Sequence, residues 1–388
     1  MSTLHALRSA TRFRCLADSC EDTCCAGLKV PVERSAFLAL QEALSTNEAD
    51  RRAFALHVLR DEETVDGYAR IHPDSEGRCG FLTQGLCGLH QRFGEPALPR
   101  ICSTFPRALS VTAGRPVLSL SLACPEAARL CLLAEDGAAV DPADPGLFPR
   151  QPQLSPSPST PLGTALYRAA RTVHTLPGIS LSGQLLTLAQ LAMRTDPEEL
   201  TALATGESAR QVAARFQPLI LPWDRVTGLL LGALQQRRGY ASQPRFEAWL
   251  ERLSTRLESA GARTAGETVT LYRERKDALE QTFPVQLERY FRNYALYQWT
   301  RFPVEEAPSA VAYLCRLSLR MALLRLLLVL QASDAPSAGA LDQLAVETFQ
   351  LTAKHLEQHP VFRELTDSVL ACSEEDRFGK TLLFATFV

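Results

Sequence analysis

The sequence predicts a mainly α protein, in which a cysteine-rich metal-binding module of loops and a short hairpin is followed by a multi-helix domain. Three observations carry this. Nine of the eleven cysteines lie between Cys15 and Cys131. A proline-rich stretch, "DPADPGLFPRQPQLSPSPSTP", follows at residues 141–161. Beyond it, long segments repeat apolar residues at three-to-four spacing, the period of a helix with one buried face. The expected organisation is a cysteine-rich metal-binding module over residues 1–140, a linker over 141–161 and a helical domain over 162–388.

With 388 residues, 46% hydrophobic and 22% charged, the chain can bury one large core or two ordinary ones. A formal net charge of -2 offers no global attraction for nucleic acid or an anionic membrane, so neither is expected as a partner. Only Lys29, Lys276, Lys354 and Lys380 are lysines in this arginine-rich chain, so a lysine base is not expected. The opening "MSTLHALRSATRFR" lacks the apolar run of a secretory signal. The most apolar segment, "MALLRLLLVL" (Met321 to Leu330), is too short to span a bilayer and holds Arg325. A cytoplasmic location is therefore expected, where disulfides rarely persist. That expectation and the odd cysteine count disfavour a disulfide-rich secreted domain.

Taken in order, "PVERSAFLALQEAL" reads as a helix from about Val32, and loops fill the region around "GRCGFLTQGLCGLH". "RALSVTAGRPVLSLSL" alternates around an Ala-Gly-Arg turn as a hairpin does. The linker holds seven prolines in twenty-one residues, a composition expected to form neither helix nor strand. Helices are expected in "LSGQLLTLAQLAMR", "DRVTGLLLGALQQRR", "RFEAWLERLSTRLESAG", "PVQLERYFRNYALYQWTRF", "AVAYLCRLSLRMALLRLLLVLQ" and "LDQLAVETFQLTAKHLEQH".

The cysteines run Cys15-x4-Cys20-x3-Cys24-Cys25, then Cys79-x7-Cys87, then Cys102, Cys124 and Cys131. So many thiols in a reducing compartment call for a partner, and soft thiolates bind Zn(II) or iron–sulfur clusters four at a time. The alternative is packing as small apolar residues, the better reading for Cys131, Cys315 and Cys372. Adjacent Cys24 and Cys25 reach one metal centre together only through a special backbone turn, which the glycine in "CCAGL" would ease. His90, three residues after Cys87, is a metal-ligand candidate, but a loop histidine is more often neither a ligand nor a partner to a cluster sulfur. Arg107 is suited equally to orienting a carboxylate or capping a turn.

"FRCLADSCEDTCCAGLKVPV", "CGFLTQGLCGLHQRFGEPALPRICSTFPR" and "CPEAARL" resemble the flagellin lysine-N-methylase family, related to a wider group of cysteine-rich zinc- or iron-chelating proteins. "LERYFRNYALYQWTRFP" resembles that family's Glu-x-Tyr helix, and "VETFQLTAKHLEQH" its closing helix with a terminal histidine. The resemblance implies a [4Fe-4S] protein, with zinc as the alternative metal. It also implies transfer of a methyl group from S-adenosylmethionine to lysines of a protein substrate, flagellin or another surface protein. The cysteines carried over are Cys15, Cys20, Cys24, Cys25, Cys79, Cys87, Cys102 and Cys124. Leu28 stands where the family usually has tryptophan. Glu288 and Tyr290 lie on the Glu-x-Tyr helix, where packing is the more natural role and a part in the lysine site the alternative.

The residues themselves show no glycine-rich dinucleotide turn and no Cys-x3-Cys-x2-Cys spacing, so the methyl donor rests on the resemblance. The competing reading is a non-catalytic zinc- or iron-binding module joined to a helical protein-interaction domain.

Overall fold

Helix Ala310–Gln331 lies at the centre, with nearly all of its side chains buried. A helix apolar on every face belongs in the middle of a core. Around it pack Leu181–Ala192, Pro244–Ser259, Ala265–Thr282, Ala338–His355 and Glu374–Phe387. Arg325, inside the "MALLRLLLVL" run, is buried and pairs with Glu280 while lying 5.1 Å over the Phe291 ring. No helix among the described residues is long and apolar enough to cross a membrane. This computed structural model describes residues 3–27, 30–61, 68–74, 77–144, 146, 154–155, 158–216, 222–240, 243–332, 336–357 and 359–388. Leu28 lies outside them.

The chain is mainly α, with ten short strands among the described residues. These are β1 (His5–Leu7), β2 (Val30–Val32), β3 (Val58–Arg60), β4 (Ala69–Ile71), β5 (Leu82–Thr83), β6 (Leu86–Cys87), β7 (Arg107–Thr112), β8 (Arg115–Leu120), β9 (Val140–Pro142) and β10 (Leu154–Ser155). A five-stranded sheet has the order β10-β7-β8-β1-β9, a three-stranded sheet the order β2-β4-β3, and β5 pairs with β6 alone.

The expected hairpin is β7–β8, closed by Ala113 and Gly114, both at positive φ, as a two-residue turn matching strand twist requires. The expected helix after the first cysteines begins at Arg34, not Val32. Val32 instead pairs with Ala69 as the end of β2. The proline-rich segment was expected to hold neither helix nor strand, and here the structure differs. Asp141 and Pro142 belong to β9, and Leu154–Ser155 form β10, the two outer strands of the five-stranded sheet. An edge strand needs hydrogen bonds on one side only, so proline is tolerated there. The six helices expected beyond residue 180 are all present, with ends shifted by a few residues.

Two apolar cores result. The larger takes in Ala6, Leu7, Leu118 to Leu132 of the amino-terminal part and the helices through Val388. The smaller gathers Val30 to Leu98, with Cys79 and Cys87 packed on its side.

Candidate metal centre and its supports

The short β5–β6 hairpin sets the second cysteine pair in place. Its turn, Gln84–Gly85, has both residues at positive φ, so Leu82 faces Cys87 across two strands. Cys79 precedes this hairpin and donates its backbone N–H to the Cys25 carbonyl at 2.6 Å. An isolated bridge pairs Ala26 with Arg78, so the "CEDTCCAG" loop runs alongside the strand entering the hairpin. Local turns and one crossing ladder thus join segments some fifty residues apart in sequence.

Cys25 hydrogen-bonds both Cys24 and Cys87. Those bonds hold the Cys25 thiol protonated, its pKa pushed well up, first by Cys24 and then by Cys87. They draw the Cys87 pKa down to about 6, helped by the His90 and Leu89 amides, and the Cys24 pKa down to about 7. Around neutral pH the trio therefore offers thiolates, the form that binds metal. Cys79 lies within reach of the charges on Cys87 and Cys24, and Cys102 within reach of Cys79, Cys87 and Cys24; burial raises both pKa values. Cys102 is nonetheless solvent-accessible.

Five of the eight expected cysteines thus converge: Cys24, Cys25, Cys79, Cys87 and Cys102. The other three, Cys15, Cys20 and Cys124, form a looser neighbouring set. Cys20 is within reach of Cys15, and Cys124 of Cys20 and Cys24. Cys124 is buried, its pKa pushed up to about 12 by desolvation. Cys131 and Cys315 are core residues, as read from their setting. The donor chemistry and proximity of the five thiols fit a thiophilic centre. Among the described residues, no group of three or more side chains is already arranged to hold a metal ion, so the fit is one of donors and not of closed coordination.

The loop is anchored by residues that sequence reasoning missed. Lys354, near the end of helix Ala338–His355, reaches both oxygens of Asp22 at 2.9 Å and the Thr23 carbonyl at 3.0 Å. Both side chains are almost wholly buried, at 1% and 5% exposed. Gln350 donates to Asp22 at 2.7 Å and to the Ala123 carbonyl at 3.1 Å, and Arg245 donates to the Glu21 carbonyl. Lys354 therefore satisfies its three donors on the loop that carries Cys20, Cys24 and Cys25. The signal in the sequence was its rarity, one of only four lysines.

His355 follows and stacks on Phe246 at 4.6 Å. Burial and then the Lys354 charge push its pKa down to about 3, so the ring is neutral. Gly27 takes φ +75°, and a side chain there would meet both Gln243 and this ring. Glu357, two residues after His355 and just past the helix, accepts from the buried Tyr294 hydroxyl at 2.7 Å.

The remaining candidates separate. His90 reaches the site through its backbone amide, which donates to Cys87. Arg107 begins β7 and lies 5.6 Å over the Phe13 ring. Tyr290 is buried and donates to Asp342, whereas Glu288 is on the surface, 3.8 Å from Arg292. Asn293 of the same helix donates to the Cys131 and Ala134 carbonyls, capping helix Pro125–Leu132 and tying it to the helical part.

Comparison with known proteins bears on this arrangement. Residues 207–383 match the family model for the FliB lysine N-methylase C-terminal domain, a span that includes Gln350, Lys354 and His355. The Lysine-N-methylase of Salmonella typhimurium strain LT2 is 31% identical over 133 residues, covering 34% of this chain and 32% of that protein. The Lysine-N-methylase of Salmonella choleraesuis is 30% identical over 133 residues, with the same coverage. The Flagellar biosynthetic protein FliU of Salmonella muenchen is 31% identical over 134 residues, 34% of this chain and 77% of that protein. The chain spans about a third of the length of the two lysine-N-methylases it matches. No solved structure matches it. On the carboxy-terminal family match and the coverage of most of the FliU protein, the chain belongs to the flagellin lysine-N-methylase family.

Proposed function

We propose that the chain is a protein-lysine N-methyltransferase that uses S-adenosylmethionine and a thiolate-held [4Fe-4S] cluster, acting on flagellin or another surface protein. The single observation that supports it most is the buried Lys354–Asp22 pair, because it fastens the cysteine loop to the part of the chain that matches the lysine N-methylase model. A metal centre and a helical domain that merely coexisted would need no such desolvated contact.

Four of Cys24, Cys25, Cys79, Cys87 and Cys102 would hold the cluster, and zinc would use the same donors. When bound, S-adenosylmethionine supplies an electrophilic methyl group. The chain's own task is to present the lysine amine. A protein lysine, with an ordinary pKa of about 10.4, is protonated at neutral pH and must be desolvated and aligned before it can attack. Remote contacts with a folded protein partner provide binding energy for this, which free lysine lacks. The surface where the cysteine loop meets the helical domain is where such contacts would be made.

The test is mass spectrometry of surface-filament and secreted-structure proteins from the host with and without the gene, together with anaerobically purified protein given S-adenosylmethionine. Increments of 14 Da on protein lysines, and none on free lysine, are expected. An unchanged lysine methylation pattern under conditions where the protein is made would return the chain to the metal-binding interaction module.

A further inference from the structure

A cavity of about 490 Å³ opens beside the cysteine loop, walled by Glu21 of that loop, by Arg245, Arg252 and Arg256 of helix Pro244–Ser259, and by helix Ala338–His355. Its size lies in the range of small-molecule sites. The charges in its wall are unevenly satisfied. Glu21 pairs with Arg129, Glu347 with Arg252, and Asp342 accepts from Tyr290 and Arg289. Arg256 has no carboxylate among the described residues; it donates to the Ala332 carbonyl at 3.0 Å. Gln331 also lines the cavity, 3% exposed, and neither its amide nitrogen nor its amide oxygen has a partner. A buried amide left unpaired at both ends is destabilising, and few such groups persist in a folded protein.

We propose that this cavity binds the α-amino-acid head group of a small molecule, with its carboxylate on Arg256 and the Gln331 amide N–H, and its ammonium on the Gln331 oxygen. A surplus guanidinium beside an amide that can donate and accept is complementary to that zwitterion. The leucine and valine side chains of the wall would face the rest of the molecule. Identifying the ligand as the methyl donor, whose methionine portion carries such a head group, rests on the function proposed above; the head-group chemistry does not. Glu21 is three residues from Cys24, so this ligand would lie beside the cysteine loop.

The test is calorimetric titration of the anaerobically prepared full chain with S-adenosylhomocysteine and, separately, with methionine. Binding of either supports the site, and which one binds distinguishes cofactor from free amino acid. Arg256→Gln and Gln331→Leu should each weaken binding about tenfold or more, the loss of one charge-assisted hydrogen bond. Gln331→Leu should not lower the melting temperature, since it removes an unsatisfied buried amide; a merely structural glutamine would do the opposite. Arg171→Gln, in a separate cavity of about 450 Å³, should bind as wild type does. Binding of neither probe by the wild type, unchanged affinity in both cavity variants, or loss in Arg171→Gln instead would overturn the proposal. Lysine methylation by a wild type whose variants bind normally would sink the cavity but leave the methyltransferase. Selective loss of S-adenosylhomocysteine binding without methylation of any protein would do the reverse.

Discussion

Asp22 and Lys354 are separated by 332 positions, and their contact is asymmetric. If Lys354 is removed, Asp22 keeps Gln350 at 2.7 Å and Arg245 at 3.7 Å. If Asp22 is removed, Lys354 keeps only the Thr23 carbonyl. Breaking a buried ion pair from one side costs about 3–5 kcal/mol, mostly from the charge left behind. Asp22→Ala should therefore destabilise more than Lys354→Met, and the double variant Asp22→Ala/Lys354→Met should lose less than the sum. Urea denaturation measures all three, and a Lys354→Met that equals or exceeds Asp22→Ala would refute the asymmetry. The Cys24 thiol is drawn down to about 7 first by Cys25 and further by Lys354, so Lys354→Met should also shift its alkylation profile to higher pH. Beyond the rarity of lysine in this chain, none of this was legible beforehand. The cysteines announce themselves by spacing, but an ion pair across most of the chain leaves no local pattern, and a lone lysine on a helix reads as solvated surface.

At the scale of elements, the helices were readable because a 3.6-residue period repeats over many turns, while β9 and β10 were not. Strands of two or three residues take their identity from the neighbour they pair with, and composition pointed the other way. The Cys24–Cys25 turn was half-readable: the following glycine signalled unusual backbone, but not what crowds it. A Cβ on Gly27 would stand 2.7 Å from the Gln243 nitrogen and 3.2 Å from the His355 ring, and φ is +75°. Gly27→Ala therefore carries a backbone penalty of about 1–2 kcal/mol, plus the clash. In a Gln243→Ala background the clash is relieved and the backbone penalty remains, so Gly27→Ala should cost less there without becoming neutral. Equal costs in the two backgrounds, by chemical denaturation, would show that Gln243 does not press on the turn.

Over the whole molecule, the distribution of apolar burial sets what metal loss should do. Among the described residues the smaller core has eleven buried apolar residues, from Val30 to Leu98, too few to hold the three-stranded sheet and helices Arg34–Ala43, Glu48–His57 and Gly88–Phe93 firmly by themselves. Cys79 and Cys87 pack against it, and Cys25, on the loop that Lys354 anchors, hydrogen-bonds Cys87. Residues Leu118 to Leu132 share the larger core with helix Ala310–Gln331, although the sequence grouped them with the cysteines. That grouping followed thiol spacing, which reports ligands and not packing. Because binding energy at a structural metal site is also folding energy, removing the proposed metal should release the smaller core and leave the larger one folded. Hydrogen exchange of the full chain, before and after anaerobic chelation, should show early loss of protection over residues 30–98. Residues 118–132 and 310–331 should keep theirs. Cys79→Ser and Cys87→Ser should reproduce that pattern without chelator, whereas Cys131→Ser, in the larger core, should not. Simultaneous loss in both regions would mean that the thiols stabilise the molecule as one cooperative unit, and no change in either would mean that the centre is not structural.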